Sequence, residues 1–150
     1  MNLDDLHLAA RVLVGAAVAY VLGFEREIRG AKAGDRTFSL IGGGAAAATA
    51  VTINVAPQAI GGILTGVGFV GAGLILQGDG GSVVGVTTAA TIFTVAGIGV
   101  VAGAGHVLLA VIVGLLALLV LETRHLPVLR VLDARRYTNL FPDDADMPDR

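Results

Sequence analysis

The chain has 150 residues, of which 55% are hydrophobic and 15% charged, with 22 glycines, no cysteine and a formal net charge of -2. A soluble domain carries about 25% charged residues, so this composition is too apolar for that class. The missing cysteines exclude disulfides, thiolate metal sites and thiol catalysis, and the near-neutral charge gives no reason to expect nucleic acid as a partner.

Crossing about 30 Å of hydrocarbon takes about 20 apolar residues. Five segments meet or approach that length: Leu6 to Phe24, Thr37 to Val55, Ala59 to Leu76, Val86 to Ala102, and His106 to Leu121. The expected fold is therefore all-α, a polytopic transmembrane helical bundle of about five spans. The N-terminal stretch is not read as a secretion signal. Its start is acidic at Asp4 and Asp5, and its apolar run ends in Glu25 and Arg26 rather than a small-residue cleavage site, so it is read as a retained span. Arg11 interrupts this span. Long cationic side chains near helix ends reach back to the headgroups; the other reading is that Arg11 faces the bundle interior.

Gly23 to Gly44 follows, and Glu25, Arg26, Glu27, Arg29, Lys32, Asp35 and Arg36 fall within twelve residues of it. Charge this dense between apolar runs reads as a polar loop at the membrane boundary, where ionisable groups are functional candidates. Glu25 and Arg29 are i,i+4 and should pair if the helix continues. The loop holds Arg26, Arg29, Lys32 and Arg36, and Arg124, Arg130, Arg135 and Arg136 follow the fifth span, whereas the connections after the second and fourth spans hold no Lys or Arg. Cytoplasmic loops carry the Lys and Arg excess. Five spans put both basic segments on that side, with the N-terminus out and the C-terminus in.

In the third span, Gly66 to Gly71 matches G-x-G-x-x-G, but no strand precedes it and no acid lies near position 91, so a dinucleotide site is not supported. A mechanical role fits better. Gly62 and Gly66 are four apart, as are Gly99 and Gly103, and small residues at that spacing let helices approach closely in lipid. Gly62, Gly66, Gly68, Gly71 and Gly73, with Thr87 and Thr88 of the fourth span, are the candidate packing residues. Threonine hydroxyls in such helices bond back to their own carbonyls or across to a neighbour. Residues 122–150 are expected to form a basic amphipathic juxtamembrane helix over Leu126 to Tyr137 and then an acidic, Pro-containing disordered tail.

Two stretches together resemble one family. GFEREIRGAKAGDRTFSLIGGGAA is similar to the G-x-E-R-E-x-x-G-x-x-A-G-x-R-T signature of the MgtC/SapB membrane proteins. TGVGFVGAGLIL followed by GVTTAATIF resembles that family's G-x-G-F-x-G-A-G and T-T-A-A-T stretches, and Arg11 fits an arginine common in its first helix. The resemblance covers residues 6 to 121, making 1–121 the transmembrane domain. It implies a bacterial inner-membrane protein linked to low-magnesium adaptation and, in pathogens, to virulence inside phagocytes. It also implies regulation of other membrane proteins, the ATP synthase among them. Arg11, Glu25, Arg26, Arg36 and Thr37 are the functional-motif residues it points to. The chain departs from the family at Gln58, Gln77 and Val84, where arginine is frequent, at Phe93 in place of tryptophan, and at Asp35 in place of leucine. Longer members carry a soluble C-terminal domain that this chain stops short of.

Two functions compete. One is a regulatory protein that binds other membrane proteins and forms a homo-oligomer in the bilayer. The other is a small transporter or ion-binding protein, with Glu25, Glu27, Asp35 and Asp79 as oxygen ligands for Mg2+ or another hard cation. An enzyme is not expected, because His7, His106 and His125 are scattered and no nucleophile–base spacing is visible; no cofactor beyond Mg2+ is suggested.

Overall fold

A computed structural model describes residues 3–77 and 83–123. The elements in order are α1 (Leu3–Ile28), α2 (Asp35–Thr52), α3 (Ala59–Ala72), β1 (Leu76–Gln77), β2 (Val83–Val84), α4 (Val86–Gly103) and α5 (Val107–Glu122). The chain divides into a unit of residues 1–117 and a second of 118–150. In the second unit, the described residues are the end of α5 and Thr123, whose hydroxyl donates to the Val120 carbonyl at 2.8 Å. The expected juxtamembrane helix and tail lie outside the described residues, as do the arginines that follow the fifth apolar segment.

The first unit is built on three helices, α1, α2 and α4, which meet one another. Each presents small residues four apart: Gly15, Ala19 and Gly23 on α1, Gly42 and Ala46 on α2, Gly99 and Gly103 on α4. A Cβ added at Gly15 would lie 2.8 Å from the Ala46 Cβ, 3.1 Å from the Gly42 oxygen and 3.5 Å from the Gly99 Cα. Three glycines from three helices thus share one layer, and no side chain would fit among them. One turn on, Gly103 meets the Ala46 backbone and lies, by the same construction, 2.9 Å from the Thr49 Cβ. Close backbone approach through small residues is how helices pack where no hydrophobic effect drives them together.

These contacts fix helix directions. Gly15 meets Gly42 and Ala46 while Gly23 meets Phe38 and Asp35, so α1 and α2 are antiparallel. Gly42 meets Gly99 while Thr49 meets Gly103, so α2 and α4 are parallel. Gly105, just before α5, meets the Arg11 guanidinium while Gly114 meets Val18 and Ile98, so α5 is parallel to α1 and antiparallel to α4. The charged α1–α2 loop and the start of α4 lie at one end of the bundle, and the α4–α5 corner at the other.

The interior is small-residue and the exterior large. Ala19, Ala46, Ala96 and Ala102 are fully buried with Phe38, Ile92 and Ile98, while Leu40 is 77% and Phe69 83% exposed. Leu13, Leu108 and Leu115 also point outward. Soluble monomers rarely expose apolar patches beyond a few hundred Å², so this surface is suited to lipid.

Two details differ from the apolar runs. α3 has 14 residues and stops at Ala72, short of the expected Leu76. At 1.5 Å per residue it is about 21 Å long, because Gly71 and Gly73 end it and Leu76 and Gln77 pair with Val84 and Val83 in a two-stranded ladder. Among the described helices, α1 and α4 are long and apolar enough to cross a membrane; α3 and α5 are apolar but shorter.

Candidate functional site

The last turn of α1 and the loop after it carry the charged cluster. α1 ends because Gly30 takes a left-handed φ of 74°. The Gly30 N–H donates to the Glu27 carbonyl at 2.9 Å and the Ala31 N–H to the Arg26 carbonyl at 3.0 Å, the paired bonds of a glycine-terminated helix. The chain then turns into α2, whose N-cap Gly34 has no side chain to cap it. Glu27 supplies what is missing: the Asp35 backbone N–H donates to its Oε2 at 3.1 Å. A carboxylate at a helix N-terminus is favoured by the helix dipole. The Arg36 N–H donates to Asp35 Oδ1 at 2.6 Å.

Glu25 lies on the inner stripe of α1, three residues after Leu22, and is 4% exposed. Arg26 grips it with both sides of its guanidinium, Nε to Oε2 and Nη2 to Oε1, the latter at 2.6 Å. Arg29 Nε stands 3.5 Å from Oε1, the expected i,i+4 pair. A buried carboxylate persists as a charge only when paired and hydrogen-bonded, and two arginines meet that requirement. Both oxygens are thereby engaged.

Glu27 and Asp35 line an open groove of 330 Å³ together with Lys32, Arg36 and Thr37. Its two carboxylates face two cations. Among the described residues, no three Asp, Glu, His or Cys side chains come together to hold a metal ion. Mg2+ needs carboxylate charge to offset the water it sheds, and neither Glu25 nor this groove supplies an excess of it. Asp79, the fourth candidate ligand, lies outside the described residues.

Arg11 is at the far end of the bundle from Glu25. Its Nη1 donates to the Gly103 carbonyl at 3.4 Å. α4 ends as α1 does: Gly105 has φ 96°, its N–H donates to Ala102 at 2.9 Å and the His106 N–H to Val101 at 3.1 Å. The Gly103 carbonyl is left over by that arrangement, and the guanidinium takes it. A cation at a helix C-terminus is stabilised by the dipole.

The candidate packing residues divide. Gly71 meets the Ala89 carbonyl at 3.4 Å from an added Cβ, and Gly73 touches only its own preceding turn. Among the described residues, an added Cβ at Gly62, Gly66 or Gly68 meets nothing within 4 Å. Thr88 is buried, and Thr87 is exposed but its carbonyl accepts the Thr91 hydroxyl at 2.7 Å. Thr52, Thr65 and Thr94 bond back in the same way. Of the departures from the family pattern, Gln58 precedes α3 without a side-chain cap bond, Gln77 and Val84 sit in the β ladder, and Phe93 is exposed. The sequence reading missed Gly15, Gly23 and Gly42, although their spacing with Ala19 and Ala46 was the available signal. Thr49 is a polar residue at the centre of the second span, and its buried hydroxyl has no hydrogen-bond partner among the described residues.

Residues 12–127 match the MgtC family model. The chain is 36% identical over 143 aligned positions to YhiD of Escherichia coli, covering 87% of this chain and 66% of that protein. It is 38% identical over 120 positions to SrpB of Synechococcus elongatus, with 68% and 66% covered. To MgtC of Salmonella typhimurium it is 40% identical over 105 positions, with 67% and 43% covered. The chain thus spans just under two thirds of the length of YhiD and SrpB and less than half of MgtC. No solved structure matches it.

Proposed function

The chain belongs to the MgtC family, and from that premise we propose a regulatory protein of the bacterial inner membrane that serves magnesium homeostasis through contacts with other membrane proteins. The observation that carries this reading is the state of Glu25. Its buried carboxylate is held by Arg26 and Arg29, so the most enclosed acid of the signature is spent on structure rather than offered to a cation. The Gly and Ala layers between α1, α2 and α4 leave no room for a polar path along that seam.

The directions of α1, α2, α4 and α5 are those five spans require, and the Lys and Arg content of the α1–α2 loop and of the segment after α5 favours the cytoplasm for both. α3 leaves Gly62, Gly66 and Gly68 open on its surface, which supports a homo-oligomer packed through that face. The ATP synthase remains the partner that the family resemblance suggests. The competing reading is transport of Mg2+; YhiD carries a provisional designation as a magnesium transporter, and the Glu27–Asp35 groove is where such an ion would enter.

A bacterial strain lacking its own gene for this protein, grown at limiting magnesium and supplied with the chain, tests the proposal. Growth should recover while the initial rate of magnesium uptake stays at the level of the deletion strain. Recovery in proportion to a raised uptake rate would contradict regulation and favour transport.

A further inference from the structure

A second recess lies beside the charged groove. It is a cavity of 190 Å³ between the α1–α2 loop and the start of α4, lined by Gly30, Ala31, Lys32, Gly85 and Thr88 among others. Among the described residues, no carboxylate lines it. The helix that opens into it, α4, is 18 residues long and has no side-chain cap, because Gly85 stands at its N-cap with φ 90°. The Ala89 N–H bonds to the Gly85 carbonyl, so the first-turn N–H groups of Val86, Thr87 and Thr88 lie ahead of the helix's own ladder.

Thr88 is an independent sign of a ligand. It is 8% exposed and lines the cavity, yet its hydroxyl has no partner among the described residues. The physical reason is its position. Thr52, Thr65, Thr91 and Thr94 each return their hydroxyl to the carbonyl four residues earlier. For Thr88 that residue is Val84, which belongs to β2 and not to the helix. The hydroxyl therefore has no helical carbonyl four residues back to return to, and on this otherwise enclosed side chain it stays open to the cavity. Lys32 lines both this cavity and the charged groove; it forms no ion pair among the described residues, so its charge is open to either side.

We infer that this cavity binds a phosphate-class oxyanion, held by the Lys32 ammonium, the Thr88 hydroxyl and the free N–H groups at the start of α4. An unsatisfied hydroxyl, uncapped N–H groups at a helix N-terminus and a cation are all donors, and an oxyanion is the ligand whose several acceptor oxygens answer them. The dipole of α4 adds to the attraction. Phosphate chemistry reaches this end of the bundle from two sources, an anionic phospholipid headgroup at the membrane surface or a soluble phosphate, and the site's donors do not distinguish them. The inference stands apart from the regulatory reading, since it concerns neither Glu25 nor the magnesium ion.

The test uses the full chain purified in neutral, phosphate-free detergent, with two probes. Inorganic phosphate is titrated calorimetrically, and retained phosphatidylglycerol is counted by native mass spectrometry after delipidation. Lys32→Met removes the charge at an exposed position, and Thr88→Val removes the hydroxyl at constant shape; Thr88→Ser keeps it. Circular dichroism confirms that each variant is folded. The wild type should bind at least one probe, with affinity at least tenfold lower in Lys32→Met, at least threefold lower in Thr88→Val and close to wild type in Thr88→Ser. Phosphate binding identifies a soluble ligand, and phosphatidylglycerol retention alone identifies a headgroup. Failure of the wild type to bind either probe, or unchanged affinity in either Lys32→Met or Thr88→Val, overturns the inference.

Discussion

The Arg11 guanidinium and the Gly103 carbonyl oxygen, 92 positions apart in sequence, lie 3.4 Å apart and tie the start of α1 to the last turn of α4. α1 therefore carries a cation used as a helix cap near one end and the neutralised carboxylate of Glu25 near the other. Removing the cap should be felt as stability. Arg11→Met is expected to cost about 1 kcal/mol, the usual worth of a charge at a helix terminus. Thermal unfolding in detergent checks it; an unchanged midpoint would mean that Arg11 serves only the headgroups.

Glu25 should show the asymmetry of a buried ion pair. Glu25→Gln leaves Arg26, whose side chain is 12% exposed, without its partner. Breaking a buried pair by removing one member costs about 3–5 kcal/mol, and the half-solvated Arg29 moderates this toward the lower end. Glu25→Gln combined with Arg26→Gln should be less damaging than Glu25→Gln alone. Unfolding midpoints of the four proteins of this cycle decide the matter, and simple additivity would show that the pair is not coupled.

The glycines should separate into two classes. An added Cβ at Gly42 would stand 2.5 Å from that of Ala19 and 2.7 Å from the Gly15 oxygen. Gly42→Ala should therefore destabilise by about 1–3 kcal/mol, the cost of overpacking. At Gly66 and Gly68 the same atom meets nothing among the described residues. Gly68→Leu should leave the folded chain intact and abolish cross-linked homo-oligomers, because a large side chain forces packed helices apart. Loss of folded protein with Gly68→Leu, or oligomers that persist, would remove that face from the interface.

Thr49 offers a gain. Its hydroxyl is buried without a partner, and leaving such a group unsatisfied costs about 1–3 kcal/mol. Thr49→Val keeps the shape and should raise the unfolding midpoint; a fall would mean that the hydroxyl has a role in the native bundle.

Much of this fold was legible in the sequence, for reasons that can be named. The five apolar runs correspond to the five helices, since long runs of one character outweigh local detail. The i,i+4 pairing of Glu25 with Arg29 is local and was readable too. The placement of Arg11 was not, because its partner is non-local and is a backbone carbonyl that no side-chain pattern announces. Spacing alone also misled at α3. Gly62 and Gly66 repeat the interval of Gly99 and Gly103, yet among the described residues only the latter pair faces another helix. An interval of four defines a stripe on a helix but not which neighbour the stripe meets. α3 stops early because two glycines and a short β ladder outweigh an apolar stretch that a hydropathy count runs straight through.

The central claim is that the signature charges hold the bundle together rather than carry an ion. The purified chain, reconstituted into liposomes containing a magnesium-sensitive dye, tests it most directly. The account predicts an influx no greater than that of empty liposomes across a magnesium gradient, in the wild type and in Glu25→Gln alike. Saturable influx through the wild-type chain that Glu25→Gln abolishes would contradict it, and would place an ion path at the mouth of the charged loop.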